Sequence, residues 1–119
     1  FRKALSADCY FLNAITVILD ISTTSVLRAS HIKEWAESSK EERIDANNGL
    51  LLCANHDALF DRHLISFEPD TGNICISASI DDDQRNALNL SKSARISMND
   101  RMKAYMQIHY KKFIEKENQ

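Results

Sequence analysis

The sequence predicts a small domain of the α+β class, with helices at both ends and short β-strands between them. Three observations support this: apolar residues at helical spacing near both termini, short β-prone runs in the middle, and a tight-turn signal at Asp70-Thr71-Gly72-Asn73. With 119 residues, of which 44% are hydrophobic and 27% charged, the chain fits one folded domain and is unlike a disordered segment. Because it begins Phe1-Arg2-Lys3 without a signal-peptide pattern, we expect residues 1–119 to be a single domain cut from a longer protein.

The first half of the chain predicts a helix, a short β element and a long loop. Apolar residues from Ala4 to Ile15 recur at three- and four-residue steps, which is typical of a core-facing helix. The runs at 16–19 and 25–30 are β-prone and predict a β element that ends at His31. Residues 33–47 are mostly charged and predict a surface loop with one helical turn at residues 40–43.

The second half predicts a strand, two short helices, a hairpin and a long helix. The apolar run 50–53 predicts a buried strand, and Asn55 is the expected N-cap of a helix over residues 56–63. The runs 64–67 and 74–77 flank the turn and predict a β-hairpin, and three aspartates at 81–83 suggest a helix start. A final amphipathic helix is predicted from this apolar stripe: Met98, Met102, Tyr105, Met106, His109 and Phe113.

Charge, cysteines and hydropathy restrict the class of protein. The formal net charge of −2 means that contact with a nucleic acid has to come from a local patch rather than from the overall field. Cys9, Cys53 and Cys75 form no C-x-x-C pair, which favours free thiols in a reducing compartment, so we expect a cytoplasmic protein. The longest apolar stretch, residues 14–21, is too short to span a membrane, and no membrane partner is expected.

The arrangement of two histidines around an asparagine is the most informative feature. His31 and His56 bracket Asn48, whereas His63 and His109 are expected to be structural. Taken alone, Asn48-Gly49 could simply be a turn. In order along the chain, however, the segment resembles the HNH endonuclease family, in the subgroup found in bacterial restriction and defence proteins. The resemblance is carried by Ala29-Ser30-His31-Ile32-Lys33-Glu34-Trp35, Arg43-Ile44-Asp45, Asn48-Gly49-Leu50-Leu51-Leu52-Cys53 and His56-Asp57-Ala58-Leu59-Phe60-Asp61.

That resemblance implies a ββα-metal core, with the hairpin and the terminal helices added to it, and a role for each motif residue. His31 would be the general base, since an imidazole can take a proton from water near neutral pH. Asn48 would orient His31 by bridging loop and strand, because an amide donates and accepts at once. His56 would bind one divalent ion, which could be Mg²⁺, Mn²⁺, Ni²⁺ or Zn²⁺.

One position departs from the family pattern. Many members carry an aspartate or histidine immediately before the base as a second metal ligand, and here that residue is Ser30. Asp61 is the expected replacement, with Asp57 as the alternative, although neither shares the face of His56 on an ideal helix.

The function implied is metal-dependent hydrolysis of phosphodiester bonds in double-stranded DNA, as the cleavage domain of a larger restriction or defence protein. Expected phosphate contacts are the basic residues near the motif: Arg28, Lys33, Arg43 and Arg62. The rival interpretation is a catalytically inactive module that keeps the HNH shape to bind nucleic acid or to serve a structural role, having lost its metal through the change at Ser30. Metal-dependent nicking of plasmid DNA distinguishes the two.

Overall fold

The computed structural model describes residues 27–119 and confirms the α+β class. Two antiparallel two-stranded sheets alternate with helices, and the apolar side chains of both sheets and of the last helix form one core. In chain order the strands and α-helices are β1 (Leu27–His31), α1 (Lys40–Ile44), β2 (Gly49–Cys53), α2 (Ala54–Asp61), β3 (Ile65–Phe67), β4 (Ile74–Ile76), α3 (Asp82–Ala87) and α4 (Asp100–Glu117). No helix within residues 27–119 is long and apolar enough to cross a membrane.

Strands β1 and β2 and helix α2 form the ββα unit. The two strands pair antiparallel with His31 opposite Gly49, and Leu50, Leu51 and Leu52 are all buried, so β2 is covered on both faces. Helix α2 follows β2 without a loop and packs on both strands. The predicted β element ending at His31 and the predicted buried strand are therefore confirmed.

The predicted cap of α2 is wrong. The helix begins at Ala54, and Cys53 occupies the N-cap position with an extended backbone and no side-chain hydrogen bond, so Asn55 lies inside the first turn. The reason is that β2 runs directly into the helix and leaves no residue between them. The helix also ends earlier than predicted, at Asp61, and His63 beyond it has a positive φ of 57°.

The segment between β1 and β2 is more ordered than the surface loop that its composition predicted. It contains two short 3-10 turns, Trp35–Glu37 and Ala46–Asn48, around α1. Helix α1 extends the predicted helical turn by one residue and starts with a capping box, in which Ser39 and Glu42 satisfy each other's backbone N–H groups. This segment closes one side of the cleft described below.

The hairpin and the last helix are confirmed. Strands β3 and β4 pair antiparallel around a turn in which Gly72 has a φ of +76°, and a Cβ there would lie 2.0 Å from the backbone oxygen of Ile96. Helix α3 starts at the predicted acidic run, with the side chain of Asp81 as its N-cap. Helix α4 buries five of the six predicted stripe residues and begins two residues later than expected, after the N-cap Asn99. The predicted helix at residues 4–15 and the β-prone run at 16–19 lie outside the described residues.

Candidate active site

The end of β1, the following loop and one face of α2 enclose a cleft of about 290 Å³. It contains His31 and two carboxylates, Asp57 and Asp61, together with side chains from the loop and from α4. The residues that line it are Ala29, Ser30, His31, Ile32, Glu34, Trp35, Asp57, Phe60, Asp61, His63 and His109.

The ring of His31 is oriented by a backbone carbonyl. Its Nε2 lies 2.8 Å from the oxygen of Arg43, and because a carbonyl oxygen can only accept, Nε2 is the donor. When the ring is neutral, this tautomer puts the nitrogen lone pair on Nδ1. The residue is half-buried at the last position of β1, so the cleft gains an imidazole of defined orientation.

Asn48 lies behind His31 and holds the loop to the strand end. Its side chain is fully buried, and its Oδ1 accepts from the backbone N–H of Lys33 at 2.8 Å. Its Nδ2 donates to the backbone oxygen of Glu42 at 3.0 Å and to Ser38 Oγ at 3.3 Å. The amide thus connects Lys33 and Glu42, on either side of the loop, to the start of β2 beside His31.

Asp57 and Asp61 are four residues apart on α2, which places them about 40° apart around the helix axis and on the same face. Although Asp61 is exposed as a residue, desolvation by the cleft walls raises the pKa of its carboxyl, and the neighbouring carboxylate of Asp57 raises it further. Ser30 Oγ, from the adjoining strand, donates to Asp61 Oδ1 at 3.4 Å. Three oxygen-bearing side chains therefore meet at one wall of the cleft.

This donor set fits part of a site for a hard divalent cation. Within residues 27–119, no three His, Cys, Asp or Glu side chains converge to form a complete metal-binding group. Two carboxylates and a hydroxyl are nevertheless oxygen donors of the kind that Mg²⁺ and Mn²⁺ accept, and such ions commonly complete their coordination with water and substrate phosphate. A cation there would also relieve the repulsion that raises the pKa of Asp61.

The structure places His56 away from this cleft. The side chain is 1% exposed, and its Nε2 donates to the backbone oxygen of Leu88 at 2.9 Å, which links α2 to the end of α3. Burial lowers the pKa of His56, against the effect of this hydrogen bond. The residue is about 100° around the helix from Asp57, and this rotation directs it into the protein. Its predicted role as metal ligand stays a prediction that this geometry does not favour.

The remaining two histidines form the wall between α2 and α4, as their structural assignment predicts. His109 is buried, stacks on Phe60 with ring centroids 3.7 Å apart, donates from Nε2 to the Phe60 carbonyl and accepts from Ser66 Oγ at Nδ1. Burial lowers its pKa to about 3, so the ring is neutral at physiological pH. His63 stacks on His109, and its Nε2 lies 3.5 Å from the Glu34 carboxylate.

The four basic residues predicted to contact phosphate differ in their surroundings. Lys33 forms an ion pair with Glu42 at 3.0 Å, and Arg43 stacks its guanidinium on the ring of Trp35 at 3.6 Å. Arg28 is exposed on β1, and Arg62 is exposed just after α2. None of the four lines the cleft, so a phosphate in it would meet these residues only at its edges.

Two features of the cleft were missed or underweighted from the sequence. Asp57 and Asp61 were weighed singly against His56, whereas their i, i+4 spacing already predicts that they share a face. Trp35 also lines the cleft, and no spacing in the sequence indicates that it does.

Comparison with known proteins agrees with this geometry. A family model described as HNH endonuclease matches residues 13–68, a range that includes β1, β2, α2 and β3. No curated protein matches the chain significantly. The matched range contains His31, Asn48 and both helix carboxylates in the ββα arrangement seen in the structure. Residues 13–68, and with them the ββα unit, belong to the HNH endonuclease family.

Proposed function

We propose that this chain is a metal-dependent DNA endonuclease whose active site is the cleft between β1 and α2. The observation that carries the proposal is the position of His31, which is oriented by the Arg43 carbonyl and shares a cleft with Asp57 and Asp61. An imidazole that can take a proton, placed with a pair of oxygen ligands for a cation, is the combination that metal-assisted hydrolysis of a phosphodiester requires.

In the proposed mechanism, His31 acts as the general base. The imidazole takes the proton of the attacking water while Nε2 keeps its hydrogen bond to the Arg43 carbonyl. That carbonyl stabilises the imidazolium as it forms, because its oxygen then accepts from a charged donor. Asn48 does not touch the reacting atoms in this scheme; it is a positioning residue that keeps the loop with Arg43 next to the end of β1.

For the cation we propose Asp57, Asp61 and Ser30 as the protein's donors, in place of His56. A bound divalent ion supplies Lewis-acid stabilisation of the charge that develops on the phosphate and the leaving oxygen. Ser30 lacks the carboxylate or imidazole that many family members carry at this position, but its hydroxyl orients the carboxylate of Asp61. Asp61 on α2 thus compensates in part for the missing ligand. His56 instead ties α2 to α3 and keeps this helix face turned to the cleft.

The substrate we propose is double-stranded DNA, with a place in restriction or defence as part of a larger protein. Support for a DNA substrate comes from the family and from the exposed basic residues Arg28 and Arg62 beside the unit that carries the cleft. With a net charge of −2, the overall field of the chain does not attract DNA, and this favours targeting by another part of the parent protein.

A supercoiled plasmid tests the proposal. The chain should convert it to the nicked form in the presence of Mn²⁺, Mg²⁺ or Ni²⁺, should fail to do so with a chelator, and should leave 5′-phosphate ends that a ligase can reseal. The inactive module is the rival that Ser30 and the incomplete set of acidic ligands favour. If the chain binds the plasmid but nicks it with none of these metals, the inactive module is established and the endonuclease is rejected.

A further inference from the structure

We infer that Trp35 is a substrate-contacting residue, which packs its indole ring against the sugar and base of a nucleotide next to the phosphate bound in the cleft. This inference rests on the proposed function and identifies a contact that charge alone does not provide. It follows from three features of Trp35: its exposure, its place in the cleft wall and the way its neighbours hold it.

Trp35 exposes a large apolar surface at the cleft. The residue is 58% exposed although tryptophan is usually well covered, and it lines the same cleft as His31 and Asp61. One face of the ring is covered by the guanidinium of Arg43, 3.6 Å from the ring centroid. A ligand can therefore contact the opposite face and the edge of the ring. The Arg43 guanidinium places a positive charge beside both.

Neighbouring side chains hold the backbone that carries this ring. Arg43 Nε donates to the Trp35 backbone oxygen at 3.0 Å, and Ser38 Oγ donates to the backbone oxygens of Lys33 and Glu34. On the other side, Lys112 from α4 forms ion pairs with Glu34 and Glu37. An exposed ring on a backbone fixed from both sides loses little conformational entropy when a ligand packs on it.

Arg43 connects the ring to the base. Its backbone oxygen accepts the hydrogen bond of His31, while its side chain stacks on Trp35 and bonds to the Trp35 backbone. A nucleotide that packs on the Trp35 ring would therefore be held at a fixed position relative to the His31 imidazole. The ligand chemistry that fits is an anionic backbone with flat apolar faces, because the site combines the Arg43 guanidinium, an aromatic face and, under the proposed function, a cleft whose divalent ion binds phosphate.

Fluorescence gives a direct readout, because Trp35 is the single tryptophan of the chain. Titration of His31→Ala, in which cutting is slowed, with a short duplex and with the corresponding single strand in the presence of Mn²⁺ should quench the emission. Inorganic polyphosphate at equal charge should leave it nearly unchanged. Equal quenching by polyphosphate, or no quenching by either DNA, would overturn the inference, since the first would mean a purely ionic effect and the second no contact.

Variants separate the ring from the rest of the site. Trp35→Ala keeps the backbone oxygen that binds Arg43 and should weaken binding of a dye-labelled single strand, whose bases are free to stack, by about 5- to 100-fold, the range expected for loss of one stacked base. Trp35→Phe should restore most of the affinity. Ile44→Ala removes another exposed apolar side chain, 71% exposed and outside the cleft, and should change nothing.

The outcome also distinguishes this inference from the proposed function. If Trp35→Ala binds and nicks DNA as the unmodified chain does, the ring makes no substrate contact although the endonuclease stands. If DNA quenches Trp35 but no metal supports nicking, the contact stands and the endonuclease fails.

Discussion

The orientation of His31 depends on a backbone atom rather than on a side chain. The carbonyl of Arg43 fixes which ring nitrogen donates, and the side chain of the same residue stacks on Trp35. Substitutions at Arg43 that preserve the backbone should therefore leave the imidazole in place while changing the cleft wall. Arg43 therefore contacts both the proposed general base and the proposed substrate-contacting ring.

His31→Ala should lower the rate of plasmid nicking by about 10² to 10⁴-fold, because it removes the group that accepts the proton of water. The variant should keep the rise in melting temperature that Mn²⁺ causes, since in the proposed site the ion is bound by α2 and Ser30. Nicking assays and thermal melts with and without Mn²⁺ measure both. Loss of the Mn²⁺ effect on melting would mean that His31 binds the ion and would overturn its assignment as the base.

The sequence predicts that His31, Asn48 and His56 share one site; the structure brings His31 and Asn48 together and turns His56 toward α3. Identity and order in the chain suffice to recognise the motif. The direction of a side chain on a helix depends on where the helix begins, and the cap was placed at Asn55 rather than at Cys53. The rotation of α2 about its axis is set by packing against β1 and β2, which no local pattern of the sequence contains.

The segment between β1 and β2 behaves as a structural element in its own right. Its two 3-10 turns and α1 are joined to the ββα unit through the buried amide of Asn48 and to α4 through Asp45, whose carboxylate accepts from Tyr105 and Arg101. The position of the cleft wall is therefore fixed at both ends of the segment.

Asn48→Ala should destabilise the protein by about 3 kcal/mol, because it leaves the Lys33 N–H and the Glu42 carbonyl without their partner in a buried place. Nicking should fall as well, since the loop that carries the Arg43 carbonyl is released. Urea unfolding monitored by circular dichroism gives the free energy of unfolding. Asn47→Ala, which removes an exposed hydrogen bond from Asn99 and one to Asp45, is the matched control, expected to cost less than about 1 kcal/mol. A loss below about 1 kcal/mol for Asn48→Ala would show that Asn48 does not hold the loop.

Most elements could be predicted because their patterns are local. The stripe of α4, the apolar run of β2 and the turn at Gly72 each follow from short-range periodicity or backbone requirements. The order within the loop was missed although the Ser39 to Glu42 spacing of a capping box was present in the sequence. The charged composition of residues 33–47 predicted a surface loop instead, since charged segments are usually loops.

On the scale of the molecule, two buried histidines join the elements around the cleft. His56 ties α2 to the end of α3, and His109 ties α4 to both α2 and β3. Each ring donates from Nε2 to a backbone oxygen, and burial lowers the pKa of both. The ββα unit is thus held by imidazoles that are neutral in the folded protein.

Stability should therefore fall as the pH falls from about 6.5 to 5, a range above the usual carboxylate values. The unfolded chain gains a proton at His109 in this range, whereas the folded protein, with a His109 pKa of about 3, does not, so protonation favours unfolding. The slope from His109 alone approaches about 1.4 kcal/mol per pH unit at the lower end. Urea unfolding at several pH values measures it, and His109→Gln should flatten the profile; an unchanged profile in that variant would contradict the assignment.

If a divalent ion acts in the cleft on the Asp57 and Asp61 side of α2, the Mn²⁺ concentration needed for plasmid nicking should depend on these carboxylates and not on His56. Loss of groups that merely support a ligand commonly weakens metal binding by about 10- to 100-fold, so loss of a ligand should cost at least about tenfold. Asp61→Asn should therefore need at least about tenfold more Mn²⁺ for half-maximal rate than the unmodified chain. His56→Gln, which keeps a donor for the Leu88 carbonyl, should need the same concentration as the unmodified chain. If instead Asp61→Asn needs the same Mn²⁺ concentration as the unmodified chain and His56→Gln needs a higher one, the ion lies on the opposite side of the helix and the proposed metal site is wrong.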